Sequence, residues 1–267
     1  MPFEQPLPQA LSPSRLQDFQ SCPRRFQHAS IERRRQPATY ATAKGTFVHY
    51  VFERLFALPA AQRTDTAARG FVPDAETHVL VEPLVSEIGL TDEVRSRLLA
   101  ETDRIITRYF AMEDPRSVTS EGVEMRLTAT VDGVPILGIL DRLDREDDGS
   151  LVIVDYKTGA LPNRQYDAKT FANAELYAAL CEEHFGERPR RIRLLYVTHG
   201  ESVEREVTEP VLRARRKSAV DAWGKIQRFY DDGHFPATPS TNACRFCAYT
   251  DLCRADGVAV PSNPRRP

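Results

Sequence analysis

A chain of 267 residues, 41% hydrophobic and 28% charged, has the composition of a soluble globular protein with enough apolar residues for a full core. Its formal net charge of −2 supplies no global basic field, so any contact with nucleic acid has to be local. No apolar run reaches the about 18 residues of a membrane span, the first residues lack the basic and apolar regions of a signal peptide, and no G-x-x-x-x-G-K-[ST] phosphate loop occurs, so a cytoplasmic protein without its own P-loop motor is expected.

From the N-terminus, Leu11-Ser12-Pro13-Ser14-Arg15-Leu16 predicts a short helix with Ser12 as its cap and Pro13 in its first turn, ending before Cys22-Pro23-Arg24-Arg25-Phe26. That leaves Cys22 in an exposed corner. Arg24-Arg25 and Arg33-Arg34-Arg35 are short basic clusters, readable as solvated faces or as the lining of a channel for a strand. Lys44 to Phe56 has helical spacing, with His49 and Glu53 four apart on one face. About residues 60–115 read as a helical insert, whose helix from Thr91 to Phe110 turns Val94, Leu98, Leu99, Ile105, Ile106 and Phe110 inward.

Around Glu121 the pattern changes to strand. Asp132-Gly133 between two β-rich segments signals a hairpin, and its second strand carries Gly138-Ile-Leu-Asp141-Arg142-Leu-Asp144. After a turn at Asp147-Asp148-Gly149 comes Leu151-Val-Ile-Val-Asp155-Tyr156-Lys157-Thr158-Gly159, where four branched apolar residues read as a strand buried on both faces. Side chains alternate along a strand, so Asp155 and Lys157 project from one face where that strand surfaces. Asp-x-Lys alone also fits a surface salt bridge. Asp141 on the neighbouring strand brings a second carboxylate to the same sheet edge, which favours a site able to hold a metal ion beside a water or phosphate oxygen. Glu124 reads as an exposed edge carboxylate or as a ligand for a second ion.

Downstream, Lys169 to His184 reads as a helix carrying Asn173 and Tyr177, Arg191 to Thr198 as a strand, and Glu209 to Tyr230 as a helix. The order hairpin, buried strand, helix, strand predicts an α/β fold with a mixed sheet. A turn at Pro236 and Pro239 leads into Cys244-Arg-Phe-Cys247-Ala-Tyr-Thr-Asp-Leu-Cys253, within a segment of about residues 236–256, and 261–267 is expected to be a disordered tail. C-x₂-C-x₅-C can wrap three thiolates around one soft metal centre, and it wants a fourth. Cys181 falls among Leu176, Ala179 and Leu180 as a core residue would, so Cys22 is the candidate. The spacing allows a Cys₄ zinc site or an iron–sulfur cluster; either would clip the two chain ends together across a loop of roughly two hundred residues.

Taken in order, Cys22-Pro23-Arg24-Arg25-Phe26, Gly45-Thr46-x-x-His49-x-x-x-Glu53, Gly138-x-x-Asp141-Arg142-x-Asp144, Asp155-Tyr156-Lys157-Thr158-Gly159 and the cysteine trio closely resemble the RecB-like branch of the PD-(D/E)xK nuclease superfamily. Both ends resemble its iron–sulfur subgroup, which includes CRISPR-associated and helicase–nuclease exonucleases. The resemblance covers residues 11 to 253 in scattered blocks. It implies a restriction-endonuclease-like core in a single domain of about residues 1–260, with a mixed sheet flanked by helices, the insert and the cluster clip.

The resemblance also implies roles. His49, Asp141, Asp155 and the main-chain carbonyl of Tyr156 would ligate Mg²⁺ or Mn²⁺, and Asp141, Asp155 and Lys157 would be catalytic. Cys22, Cys244, Cys247 and Cys253 would hold a [4Fe–4S] cluster, preferred over zinc on the strength of the resemblance. Tyr177 and Asn173, the latter where the family has Gln, would lie near substrate phosphates, with Arg24 and Arg25 as further substrate contacts. The expected function is a metal-dependent deoxyribonuclease, an exonuclease preferring single-stranded DNA, in DNA repair, recombination or CRISPR-related processing. The alternative is a catalytically weak DNA-binding subunit of a helicase–nuclease complex. Expected partners are DNA and a helicase or CRISPR adaptation protein, with no membrane.

Overall fold

Ser12 caps the first helix as its sequence predicts. In the computed structural model, which describes residues 3–81, 84–162 and 170–262, the Ser12 hydroxyl accepts from Arg15 N at 3.2 Å and Pro13 opens α1 (Pro13–Ser21). The backbone divides into two units, one of Met1–Pro37, Thr128–Leu137 and Arg213–Pro267 and the other of Ala38–Leu127 and Gly138–Leu212.

In the first unit α1 is followed by α2 (Pro23–Phe26) and a π-helical turn, Gln27–Ile31. Aromatic rings fill its core: Phe26 stacks on Phe235 at 5.7 Å and meets Phe19 edge-on at 5.8 Å. Leu11 docks onto the hairpin tip, with Leu11 N donating to Pro135 O at 2.8 Å and Leu137 N to Leu11 O at 3.0 Å. Of the expected tail, residues 263–267 lie outside the described residues, as does Lys169 at the expected start of its helix.

In the second unit α3 (Tyr40–Phe56) starts at Tyr40 rather than Lys44, because Thr39 and Thr42 cap each other's backbone. The 60–115 stretch is helical, with α4 (Asp65–Gly70), α5 (Val72–Val79), α6 (Leu84–Ile88) and α7 (Asp92–Met112). Thr91 caps α7, as expected, accepting from Val94 N at 3.2 Å. The buried face of α7 is Leu98, Thr102, Ile105, Ile106 and Tyr109. Tyr109 thus takes the inward place expected of Phe110, which is only partly buried. Ala68, Ala75, Val79, Leu98 and Ile105 belong to one hydrophobic cluster with Val152, Val154 and Tyr156, so these helices form part of the core behind the strand that carries Asp155.

Among the described residues the sheet has five strands, in the order β1 (Thr119–Val131), β2 (Val134–Arg145), β3 (Leu151–Tyr156), β4 (Arg191–Tyr196) and β5 (Glu201–Glu206). At the β1–β2 turn Asp132 and Gly133 have φ of 47° and 81°, the two positive values that a tight hairpin turn of this kind needs. β3 pairs antiparallel with β2 and parallel with β4, which makes the sheet mixed. The parallel step needs a crossover, supplied by α8 (Ala172–Phe185). All six residues of β3 are buried, as its apolar run predicts, and each fully buried branched side chain there contributes about 1.5–3 kcal/mol. The chain then continues through α9 (Glu209–Asp231), α10 (Thr241–Cys244) and α11 (Thr250–Ala255).

Candidate active site and cysteine centre

The antiparallel register of β2 and β3 ends at Arg142 opposite Val154, one residue short of Asp141 and Asp155. There the two strands deliver their carboxylates to one place: Asp141 Oδ2 accepts from Tyr156 N at 2.8 Å. His49, on α3, approaches from above this edge. Its Nε2 lies 3.0 Å from the Tyr156 carbonyl oxygen, and its Nδ1 lies 3.6 Å from Asp141 Oδ1 and 3.9 Å from Glu124 Oε1. Among the described residues, His49, Glu124 and Asp141 form the group of three whose ligand atoms all fall within 4.8 Å of one another.

Glu124 belongs to this group because of its backbone. Its φ is 44°, a left-handed conformation unusual for a non-glycine residue and costly inside a strand. Such a kink re-aims a side chain, as β-bulges do. A glycine or asparagine there would have signalled the bend in the sequence; a glutamate does not. Asp155 stands outside the group and faces Lys157, whose Nζ is 2.5 Å from Asp155 Oδ2. This oxygen is buried, and the Lys157 ammonium is paired with it as an ion pair.

Burial opposes a charge on His49, but the carboxylates of Glu124, Asp141 and Asp155 override it and push its pKa up to about 9. Burial and the Asp155 charge raise the Asp141 carboxyl, with His49 pulling the other way. Burial works against the Lys157 ammonium too, yet Asp155 prevails and raises it. The Tyr177 phenol is raised by burial and then by Asp155, Asp141 and Glu124, so it shares the field of the same carboxylates. Asn173 sits one turn before Tyr177 on α8, on the same face. An excess of negative charge with a buried carboxylate oxygen is an environment that a divalent cation would neutralise. One imidazole with carboxylate and carbonyl oxygens is a donor set that a divalent cation can take.

Behind this edge lies a buried cation. Arg142 is 0% exposed; its Nη1 donates to Glu113 Oε1 at 2.6 Å and to the Tyr156 hydroxyl at 2.7 Å, and its Nη2 donates to Asp144 Oδ2 at 2.9 Å. Its guanidinium also lies 4.3 Å from the Phe56 ring centre. Tyr156 is therefore held at its hydroxyl by Arg142 while its carbonyl faces His49.

In the first unit, Cys22, Cys244, Cys247 and Cys253 line one small cavity together with Arg25, His28 and Tyr249. Thr238 N donates to Cys22 Sγ at 3.3 Å. Arg24 Nη1 pairs with Asp256 at 2.9 Å, and Arg25 Nε contacts Asp18 at 2.7 Å. Cys181 is fully buried on α8, where burial pushes its thiol up to about 12.

The mixed sheet thus ends in two carboxylates and a lysine, with a histidine beside them. The sequence pattern of the PD-(D/E)XK nuclease superfamily matches residues 10–254, and the chain belongs to that superfamily. It is 30% identical over 132 residues to a subunit of the ATP-dependent helicase/deoxyribonuclease of Streptococcus agalactiae, in serotypes Ia and V alike. That stretch is 48% of this chain and 12% of the length of that relative. A crystal structure from Eubacterium rectale described as "Putative exonuclease" shares the fold with a TM-score of 0.58 and 15% identity, over 97% of this chain and 91% of that one.

Proposed function

We propose that the protein is a metal-dependent deoxyribonuclease, an exonuclease that acts on single-stranded DNA ends. The observation that carries this reading is the meeting of His49, Asp141 and the Tyr156 carbonyl beside the Asp155–Lys157 pair. His49, Asp141, Asp155 and the Tyr156 carbonyl are the proposed metal ligands, with Glu124 an additional donor. Held by these residues, Mg²⁺ or Mn²⁺ would supply Lewis acidity toward a phosphate oxygen and toward a water. Lys157, kept charged by Asp155, orients that water and steadies the negative charge that builds on phosphorus; its raised pKa favours this role over that of a base. Asp141 holds the Tyr156 backbone, and so the carbonyl, in place. Tyr177 and Asn173 contact the substrate. Arg24 and Arg25, engaged with Asp256 and Asp18, brace the segment beside the cysteines and meet substrate only through their remaining faces.

Cys22, Cys244, Cys247 and Cys253 are proposed to hold a [4Fe–4S] cluster as a clip. All four line one cavity, yet no three of their sulfurs lie mutually within 4.8 Å. The spacing allows zinc as well, and the choice of a cluster rests on the motif resemblance. The residues from 1 to 260 would form one nuclease domain, with 60–115 as an insert and 236–256 as the cluster segment.

The near-neutral chain gives little drive for broad duplex binding, which supports a narrow strand groove and a substrate unwound by a helicase. The similarity to part of a helicase/deoxyribonuclease supports a helicase partner and a place in DNA repair or recombination; CRISPR-related processing rests on the motif resemblance alone. No described helix is long and apolar enough to cross a membrane. The test compares linear single strands, circular single strands and blunt duplex with Mn²⁺ under one salt condition. Preference for linear single strands is expected; equal cutting of circles, or faster cutting of duplex, would point to an endonuclease. DNA binding without any cutting would favour a DNA-binding component of a helicase–nuclease complex.

A further inference from the structure

His28 is 4% exposed and lines the cavity of the four cysteines. Its Nδ1 is 3.0 Å from Glu32 Oε2, while its Nε2 is buried without any hydrogen-bond partner. A buried imidazole nitrogen left unpaired is costly, so one on a residue that lines a cavity calls for an occupant. The rest of the ring is firmly held. Its π-helical turn is tied back by Arg34 N donating to His28 O at 2.9 Å, and its ring packs tilted against Tyr249 with 5.3 Å between ring centres. Tyr249 is anchored in turn by its hydroxyl, which donates to Arg34 O at 2.8 Å.

Glu32 fixes the sense of the first contact. Its carboxylate also accepts from Gln27 Nε2 at 2.6 Å and from Arg34 Nε at 2.5 Å, and with these donors it stays ionised and can only accept. His28 therefore donates Nδ1–H to Glu32, which sets the ring plane and leaves Nε2 as the nitrogen without a partner among the described residues. Sulfurs bound to metal are acceptors as well. Among the described residues lining the cavity, Arg25 carries a guanidinium, and it is engaged with Asp18.

We propose that His28 is a positioning and tuning residue of the cysteine-held metal centre, donating Nε2–H to one of its sulfurs while Glu32 holds Nδ1–H. This rests on the reading that the four cysteines bind a cluster. The Glu32 carboxylate and a metal-bound sulfur are both acceptors, so the two ring nitrogens have one acceptor each to meet. Donors to cluster sulfurs raise the reduction potential and shield the centre from loss.

The experiment uses the full chain purified without oxygen, with iron content, visible absorption and a dye-mediated reduction titration as readouts. His28→Phe keeps the ring stack on Tyr249 and removes the donor; it should lower the potential and release iron to a chelator several-fold faster. His28→Gln keeps an N–H at the end of the side chain and should stay near the parent on both. Glu32→Gln, which loosens the ring without removing it, should shift both in the direction of His28→Phe by less. Parent-like potential and release rate in His28→Phe and Glu32→Gln would overturn the inference and leave the cluster intact. Equal loss of iron from His28→Phe and His28→Gln would overturn it in favour of a direct ligand. Parent protein without iron at the cysteines would overturn the cluster reading itself, and this inference with it.

Discussion

Gly138 lies directly against the Tyr177 ring: a methyl group on its Cα would sit 2.7 Å from ring carbons Cδ1 and Cε1 and 2.9 Å from a Leu180 methyl. The glycine three residues before Asp141 is thus a requirement of packing, and the space it leaves holds the tyrosine that shares the field of Asp141 and Asp155. Gly138→Ala is expected to destabilise the protein by about 1–3 kcal/mol through overpacking and to slow cleavage by displacing Tyr177. In a double-mutant cycle measured by urea unfolding, Tyr177→Ala should recover part of the loss, with a coupling of about 0.5–3 kcal/mol. Strict additivity would mean that the two residues do not constrain each other.

The buried Arg142 makes a second prediction. Arg142→Leu leaves Glu113 and Asp144 as buried carboxylates without their cation, and a loss of about 3–5 kcal/mol is expected from chemical denaturation. Because the same guanidinium holds the Tyr156 hydroxyl, cleavage should fall even at temperatures where the variant stays folded. Unchanged stability would show that the cluster around Arg142 relaxes freely.

That network also predicts an acid limb. Burial raises the Glu113 carboxyl, but Arg142 overrides it, so its pKa in the folded protein lies below the usual 4.5. A depressed carboxyl contributes stability that is fully present above the unfolded value of 4.5 and is lost as the pH falls through the folded one. Asp144 shifts upward through burial and offsets part of this. Glu113→Gln should lower stability at neutral pH and flatten its decline below pH 4.5, as followed by thermal unfolding across a pH series.

Metal binding should release protons. With the His49 pKa of the metal-free protein at about 9, the stabilisation from its imidazolium is complete below 6.5 and is lost as the pH rises through about 9. A cation that takes His49 must displace that proton, so apparent Mn²⁺ affinity should rise by up to about tenfold per pH unit until about 9 and then level off. Calorimetry in two buffers of different ionisation enthalpy checks the proton count. An affinity flat between pH 7 and pH 9 would take His49 out of the ligand set.

The cysteine centre is tested by colour. Anaerobically purified protein should be brown, and Ser at Cys22, Cys244, Cys247 or Cys253 should bleach it, whereas Cys181→Ser should not, since Cys181 lies fully buried on α8. A colourless protein with one tightly held zinc would replace the cluster and keep the clip.

What the sequence made legible was what lies close along the chain. The run Leu151–Val154 and the alternation that pairs Asp155 with Lys157 are local facts of strand geometry, and Asp132-Gly133 announces its own turn. The helix with His49 was visible from its spacing, but its first turn was not: its cap is a Thr39–Thr42 pair rather than the usual Ser/Thr-x-x-Glu box. Glu124 looked like an edge carboxylate because nothing in its side chain announces a left-handed backbone. The Arg142–Glu113–Tyr109 network was hidden because Arg142 lies 29 and 33 residues along the chain from Glu113 and Tyr109, and only the packing of α7 against the sheet joins them. His28 escaped notice because a histidine's buried, unpaired nitrogen is a property of its surroundings and not of its neighbours in sequence.

The central claim is that phosphodiester hydrolysis occurs where β3 surfaces, and the most direct measurement is cleavage of end-labelled single-stranded DNA in Mn²⁺ by Asp155→Ala and Lys157→Ala beside the parent, with a chelator control. The account predicts that both variants lose cleavage, by about a hundredfold or more for a group that stabilises transition-state charge, while DNA binding and thermal unfolding stay close to the parent. Cleavage near the parental rate in either folded variant would contradict it and move the active site away from this strand.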